Sequence, residues 1–349
     1  MDIRAELTYT KKRQIGVGQG MNSEVFLAFD VQLAGEIAVK EIPKALGVSV
    51  QDYFREAQRM FAAEHPNVVR VNYACETAST VGLAMRYYRN GSLQDRIAIS
   101  PLPLMEVIEI GQGILNGLGC IHRLNLVHFD VKPSNILFDD NGAPLLADFG
   151  QTRMIGPGGW AHRPGMYRDG IPPECYSGAG LFQSDIYQVG LTLYRAVNGD
   201  VLFNRQRPTS DHDAQQMTLA GSFPDRAVFL PHVPTSLRQV ICNALHVDPG
   251  SRFPSCRDFA DALGKVRIEV DWKVIADSNG GMHWTAKRDG RADTMIDLLP
   301  NKNRWNVQIH TGRGHDRRRK DTEKWRKDLT HKQARSHLRQ VFRSLGQPR

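Results

Sequence analysis

Cysteine is scarce. The chain has five in 349 residues (Cys75, Cys120, Cys175, Cys242 and Cys256), odd in number and none in a CxxC. That excludes a disulfide-stapled fold and a cysteine-held metal, and reads as a reducing, cytoplasmic compartment. Long apolar runs are missing as well. No eighteen consecutive apolar residues occur, so neither a transmembrane helix nor a membrane partner is expected. The opening Met1-Asp2-Ile3-Arg4-Ala5-Glu6 has no apolar core of a secretion signal. Acidic residues are short in one region only. Residues 265–349 carry 21 Lys/Arg against 10 Asp/Glu, while the residues before them carry 24 against 27. The net charge of +8 therefore belongs to the tail. The rest is ordinary for a globular protein, with 41% hydrophobic and 23% charged residues. The length suggests one large domain and a second, smaller unit.

The stretch that organises the chain is His128-Phe129-Asp130-Val131-Lys132-Pro133-Ser134-Asn135. It offers a carboxylate, an amine two residues on and a carboxamide five residues on. Asp148-Phe149-Gly150 follows behind the apolar run Pro144-Leu145-Leu146-Ala147. Together these supply a base for a hydroxyl, a cation for a phosphate and two oxygen ligands for magnesium. Phosphoryl transfer needs little more, because its catalysis is mostly positioning and charge neutralisation.

In this order and spacing the HxDxKxxN and DFG motifs resemble those of the eukaryotic-type Ser/Thr protein kinases, which also occur in bacteria. The resemblance covers about residues 10–264. It implies an α+β, bilobal protein-kinase fold: a β-rich N-lobe over 1–88 and a mainly helical C-lobe over 89–264. ATP and Mg²⁺ are the implied cofactors, with a serine or threonine hydroxyl of a protein as substrate. Asp130 would accept or orient that hydroxyl, Lys132 would contact the γ-phosphate, and Asn135 and Asp148 would hold the metal. Gly18, Gly20, Ser23 and Val25 match the phosphate-covering loop, with Gly16 giving a second register. Lys40, at the end of the strand Glu36-Ile37-Ala38-Val39-Lys40, would hold the α/β-phosphates. Its partner would be Glu56; Glu41 is the alternative, although strand alternation points it to the other face. Ala38, Met85, Arg86 and Tyr88 would surround the adenine, Met85 guarding the back of its pocket. Asp185 would brace the catalytic-loop backbone, and Glu174 would pair with Arg252 inside the C-lobe.

Two departures stand out. Phe129 occupies the position where regulated kinases carry an arginine that pairs with a phosphorylated activation loop. Between Gly150 and Glu174 the only side-chain hydroxyls are on Thr152 and Tyr167. Both point to a kinase that does not require activation-loop phosphorylation. Pro172-Pro173-Glu174 is similar to the family's APE, one step altered, and the segment before it has no threonine at the substrate-facing position.

Residues 265–349 match no family by inspection. Alternation through Val266, Ile268, Val270, Trp272 and Val274 predicts a strand. Asn279-Gly280-Gly281, Asp289-Gly290 and Pro300-Asn301-Lys302-Asn303 punctuate further strands at Met282–Lys287, Thr294–Leu299 and Arg304–His310. Thr311–Arg319 reads as a flexible basic segment. Thr330 with Gln333 is a capping box opening a helix with Leu338, Val341, Phe342 and Leu345 on one face. This small basic domain, antiparallel strands then a helix, is expected to recruit or regulate, and its removal to spare catalysis. Arg317, Arg318, Arg319 and Lys320 are candidates for contact with nucleic acid or an acidic partner. Trp284 and Trp305 could stack on bases or fill a core. Two other functions compete: a small-molecule kinase, which usually lacks the DFG and PPE-like segment, and a pseudokinase or nucleic-acid adaptor acting through the tail.

Overall fold

In the computed structural model the described residues are 6–16, 23–46, 50–287, 293–312, 318–320 and 324–346, without the side chains at 52, 53, 56 and 318–320. Strands β1 (Tyr9–Ile15), β2 (Glu24–Asp30), β3 (Gly35–Pro43), β4 (Val71–Glu76) and β5 (Thr80–Arg86) form an antiparallel sheet in the order β1-β2-β3-β5-β4. Helix α1 (Val50–Ala62) lies beside β4 and β5. The two-residue period of β3 separates its side chains. Ile37 and Val39 pack with Ala28 and Ala84 on one face, while Ala38 and Lys40 face a cleft on the other. Glu41 lies with Ile37 and Val39, where it accepts from Tyr9 Oη at 2.9 Å and Lys11 Nζ at 2.7 Å. That removes it as a partner for Lys40.

The C-lobe contains α2 (Leu93–Ile99), α3 (Leu104–Arg123), α4 (Phe182–Asn198), α5 (Asp200–Asn204), α6 (Asp211–Leu219), α7 (Thr235–Ala244) and α8 (Cys256–Gly264). Short strands pair between them: β6 (Leu126–Val127) with β9 (Arg153–Met154), β7 (Ile136–Phe138) with β8 (Pro144–Leu146), and β10 (Ala161–His162) with β11 (Ala179–Gly180). The sequence of α3 has apolar residues at helical spacing, at 104, 107, 108, 111, 114, 115, 118 and 121, and all eight are buried. By length and composition α3 could cross a membrane, but it is the central helix of this lobe. Its glycines admit neighbours: a Cβ at Gly117 would sit 2.6 Å from the carbonyl oxygen of Asn67.

The last part is a sheet of β12 (Lys273–Ala276), β13 (Met282–Ala286), β14 (Asp293–Asn301), β15 (Arg304–Gly312), β16 (Arg318–Lys320) and β17 (Arg326–Leu329), followed by α9 (His331–Leu345). Strands β12 to β16 pair in sequence, and β17 adds to β15. The Thr330–Gln333 capping box forms, and Ala334, Leu338, Val341 and Phe342 are the buried stripe of α9. The alternating stretch from Val266 does not pair until Lys273. Before that, Asp271 is drawn to the C-lobe, where its Oδ1 accepts from Leu104 N at 2.8 Å and Met105 N at 3.3 Å. Of the segment read as flexible, Thr311 and Gly312 extend β15 and Arg318 and Arg319 belong to β16; residues 313–317, including Arg317, lie outside the described residues. Strand β17 was not anticipated, because Arg326-Lys327-Asp328-Leu329 has no apolar alternation.

The tail is not an appendage. Its buried residues belong to one continuous hydrophobic cluster with those of the C-lobe. Trp284 is fully buried, meets Phe342 edge-on at 5.4 Å, and donates from Nε1 to His232 Nδ1 at 3.0 Å. Burial pushes the His232 imidazole down to about 3, so it is neutral and free to accept that bond. Trp284 is therefore core and unavailable to stack on a base. Trp305 is half-buried against His331 at 5.5 Å.

Candidate active site

A cavity of about 330 Å³ separates the sheet from the C-lobe. Ile15, Val25, Ala38, Met85, Leu137 and Ala147 supply apolar walls, and Ser23, Arg86 and Tyr88 also line it. Lys40, Asn135 and Asp148 supply its polar groups. Gly18 and Gly20, and the side chain of Glu56, lie outside the described residues.

Lys40 is buried and donates from Nζ to Asp148 Oδ1 at 2.8 Å, across a sequence gap that only the fold closes. Asp148 adopts φ 64 and also accepts from Gly150 N at 3.2 Å. Burial would raise its pKa, but the Lys40 charge and hydrogen bond, the Gly150 N–H and the more distant Lys132 outweigh it. The carboxyl is held well below the usual range. Asp130 forms a second knot. Lys132 Nζ lies 2.8 Å from Asp130 Oδ2, and Asn135 Nδ2 donates to the backbone oxygen and Oδ2 of Asp130 at 2.9 and 2.8 Å. The Asn135 amide oxygen takes no part in that network.

The loop carrying Asp130 is held from α4. Phe129 sits at φ 66, a conformation that a bulky residue adopts only when its surroundings impose it. Fully buried Asp185 accepts from His128 N and Phe129 N, each at 2.8 Å. Gln188, one turn on, accepts from Val131 N at 3.0 Å and donates to the Phe129 oxygen at 2.9 Å. Thr192, a further turn on, donates to the Val131 oxygen at 3.4 Å. Spacings of three and four place all three on one face of α4. Sequence reading found Asp185 and missed Gln188 and Thr192; their signal was two polar residues at helical spacing in an otherwise apolar helix. His122 was missed too. Its Nε2 lies 2.8 Å from Asp185 Oδ2 and its Nδ1 3.4 Å from Cys256 Sγ.

Phe129 points into a separate cluster with Val127, Ala161, Ile171 and Cys175. Its ring lies against Gly180, where an added Cβ would come within 2.1 Å of Cε1. Beside the catalytic loop, Tyr167 is half-exposed, with Lys132 Nζ 5.9 Å from its ring centre. Arg207 Nη2 donates to its hydroxyl at 2.6 Å. Buried Asp169 anchors this segment by ion pairs to Arg168 and Arg207. Further down, Arg252 grips Glu174 through two parallel bonds of 2.9 and 2.7 Å, and Ser184 donates to Glu174 Oε1 at 2.6 Å.

Comparison with known proteins agrees with this geometry. The chain is 27% identical over 270 residues to the serine/threonine-protein kinase PrkC of Bacillus subtilis, covering 75% of this chain and 40% of that protein. It is 30% identical over 304 residues to PknB of Mycobacterium leprae, covering 80% and 48%. With PknL of Mycobacterium tuberculosis it shares 25% over 283 residues, covering 78% and 70%. The chain thus spans less than half the length of the first two. Residues 9–262 match the protein kinase domain family as a whole, and on that match and this cleft the chain is a member of that family.

Proposed function

We propose that the protein is an ATP- and Mg²⁺-dependent serine/threonine kinase acting on protein hydroxyls. What carries the reading is the meeting of the Lys40–Asp148 pair with the Asp130–Lys132–Asn135 knot beside one apolar cavity. In this reading Asp130 takes or orients the substrate hydroxyl, aligning its oxygen with the γ-phosphate. Lys132 neutralises charge on the transferred group, and Lys40 holds the α/β-phosphates. The oxygen donors fit magnesium. Among the described residues no three His, Cys, Asp or Glu gather as a closed metal cage. One ionised carboxylate and one amide oxygen are what Mg²⁺ takes from a protein when phosphate oxygens complete its shell. The ion, when bound, neutralises phosphate charge. The test is transfer of labelled phosphate from ATP with Mg²⁺, wild type beside Asp130→Asn. Label on serine or threonine that falls at least a hundredfold in the variant supports the reading; equal label in both overturns it.

We further propose that activity does not depend on activation-loop phosphorylation. Supporting this, Phe129 packs in an apolar cluster where a phosphate-binding arginine would otherwise stand. Of the two loop hydroxyl residues, Thr152 is fully buried and Tyr167 is held by Arg207. Phosphatase treatment of the purified protein should leave its rate within about twofold, and a loss of tenfold or more would sink the idea. The five cysteines carry no disulfide, which favours a reducing, cytoplasmic setting.

A further inference from the structure

A second cavity, of about 320 Å³, opens where the C-lobe meets the tail. Its apolar lining includes Leu104, Trp272 and Phe342, the two rings meeting edge-on at 5.0 Å. Four arginines line it as well: Arg238 from α7, Arg267 before the sheet, and Arg339 and Arg343 from α9. Arg335, one turn before Arg339, belongs to the same stripe. Like charges four residues apart on a helix repel. Little relieves them here: Asp225 and Tyr194 favour the Arg335 charge, but from beyond ion-pair distance. Among the described residues no carboxylate forms an ion pair with any of these five, and Glu269, which also lines the cavity, is exposed and pairs with none.

The available partners are few and neutral. Arg238 donates from Nε to the Val233 oxygen at 2.8 Å, and Arg335 to the Phe229 oxygen at 2.9 Å. His232, on the wall, is neutral; its Nδ1 accepts from Trp284 and its Nε2 is buried with no hydrogen-bond partner. The Nε of Arg339 is buried with no hydrogen-bond partner. An unpaired buried donor on a charged group is costly, and a guanidinium is shaped for two-point bonding to phosphate. Burial first, then the Arg339, Arg343 and Arg335 charges, push Arg238 down to about 10.

We propose that this cavity is a binding site for a small organic phosphate, a phosphate monoester on an apolar or planar body. The arginines take the phosphate, and the Trp272 and Phe342 side of the cavity takes the body. A volume near 300 Å³ suits a small ligand rather than a folded protein surface. The site lies at the Leu104 end of α3, whose other end carries His122 beside the catalytic loop. The helical rise puts those ends roughly 30 Å apart, so both sites can be filled together.

The experiment titrates phenyl phosphate, and separately inorganic phosphate, into the full chain with the ATP cleft saturated by a non-hydrolysable ATP analogue and Mg²⁺. Calorimetry should show saturable binding, with phenyl phosphate at least tenfold tighter than inorganic phosphate. Arg339→Gln with Arg343→Gln should weaken it at least tenfold and leave the analogue's affinity unchanged. The melting temperature without ligand should not fall in the double variant, since repulsion is removed. If that variant fails to fold, the exposed Arg343→Gln alone should still weaken binding severalfold. Absence of saturable binding in the wild type, or binding indifferent to these substitutions, would overturn the proposal. So would a phosphoserine peptide binding a hundredfold tighter than phenyl phosphate, which would make the ligand a phosphoprotein.

Discussion

The contact between Phe129 and Gly180 can be tested quantitatively. An added Cβ at Gly180 would lie 2.1 Å from Cε1 and 2.2 Å from Cζ of Phe129. Ordinary carbon contacts begin near 3.5 Å, so Gly180→Ala obliges the ring to retreat by more than an ångström. It has nowhere easy to go. Phe129 is fully buried, its φ of 66 is fixed by Asp185 and Gln188, and Val127, Ala161 and Cys175 close the cluster. Overpacking of this kind costs about 1–3 kcal/mol. Phe129→Leu alone leaves part of the space empty and costs about 1–2 kcal/mol by comparison with larger truncations. Combined, the alanine occupies room that the smaller side chain vacates. The double variant should therefore be more stable than the sum of the singles by roughly 1 kcal/mol or more, a coupling expected only of residues in contact. Urea unfolding of the four proteins at one pH measures it. Strict additivity within about 0.3 kcal/mol would refute the packing argument, and with it the view that an apolar plug sets the activation segment. Transfer rates should follow, with Gly180→Ala the slowest.

Two further predictions follow from the same contacts. Burial lowers the pKa of His122, but the Cys256 sulfur and the Asp185 carboxylate against its ring outweigh it and raise it to about 10. A folded-state pKa above the unfolded value near 6.5 means that the stabilisation is complete below that pH and is lost as pH rises through 10. Urea midpoints between pH 7 and 10 should fall less steeply in His122→Gln than in wild type, and parallel slopes would contradict the assignment. Deleting residues 265–349 strips Trp272, Trp284 and Phe342 from the C-lobe and removes the Asp271 cap of α3, the cap alone being worth about 0.5–2 kcal/mol. The chain 1–264 should melt well below the full protein or aggregate. A truncated protein melting within about two degrees of the full chain would show that the two parts are independent.

What the sequence disclosed depended on whether the cause was local. The stripe of α3 and the capping box of α9 are set by residues within a turn or two of each other, and both are legible. Motif spacing carried the cleft further, assigning Lys40 and Asp148 to one site and pairing Arg252 with Glu174 across gaps no periodicity could bridge, while the direct Lys40–Asp148 bond was not anticipated. Where a residue's fate depended on a distant surface, pattern misled. The alternation before Lys273 looks like a strand but serves docking, because Asp271 finds the free amides at the start of α3. Trp284 offers a flat ring to any base until His232, from another lobe, is seen to hold its N–H. Arg326–Leu329 enters the sheet through backbone pairing, helped by Leu329 on the core and by Asp328 bonded to Asn301 and Asn306, contacts that leave no apolar alternation in the sequence.

The two cavities differ in how their charges are paired. In the cleft, Lys40 and Lys132 are each 2.8 Å from a carboxylate, so both cations are paired and held in place. An incoming polyanion with its cation must exchange into these pairs, and binding there has to displace something. At the seam, among the described residues, no such pairs exist. Arg238, Arg339 and Arg343 line one cavity with apolar walls, and the one carboxylate on that lining, exposed Glu269, forms an ion pair with none of them. The folded state carries that repulsion as a penalty, which a ligand of opposite charge relieves. Ligand binding should therefore raise the melting temperature through the seam more, per phosphate bound, than through the cleft. Thermal shifts in wild type and in the Arg339→Gln, Arg343→Gln protein, with phenyl phosphate and the ATP analogue added separately, compare the two directly. An equal shift from phenyl phosphate in both proteins would place its binding elsewhere.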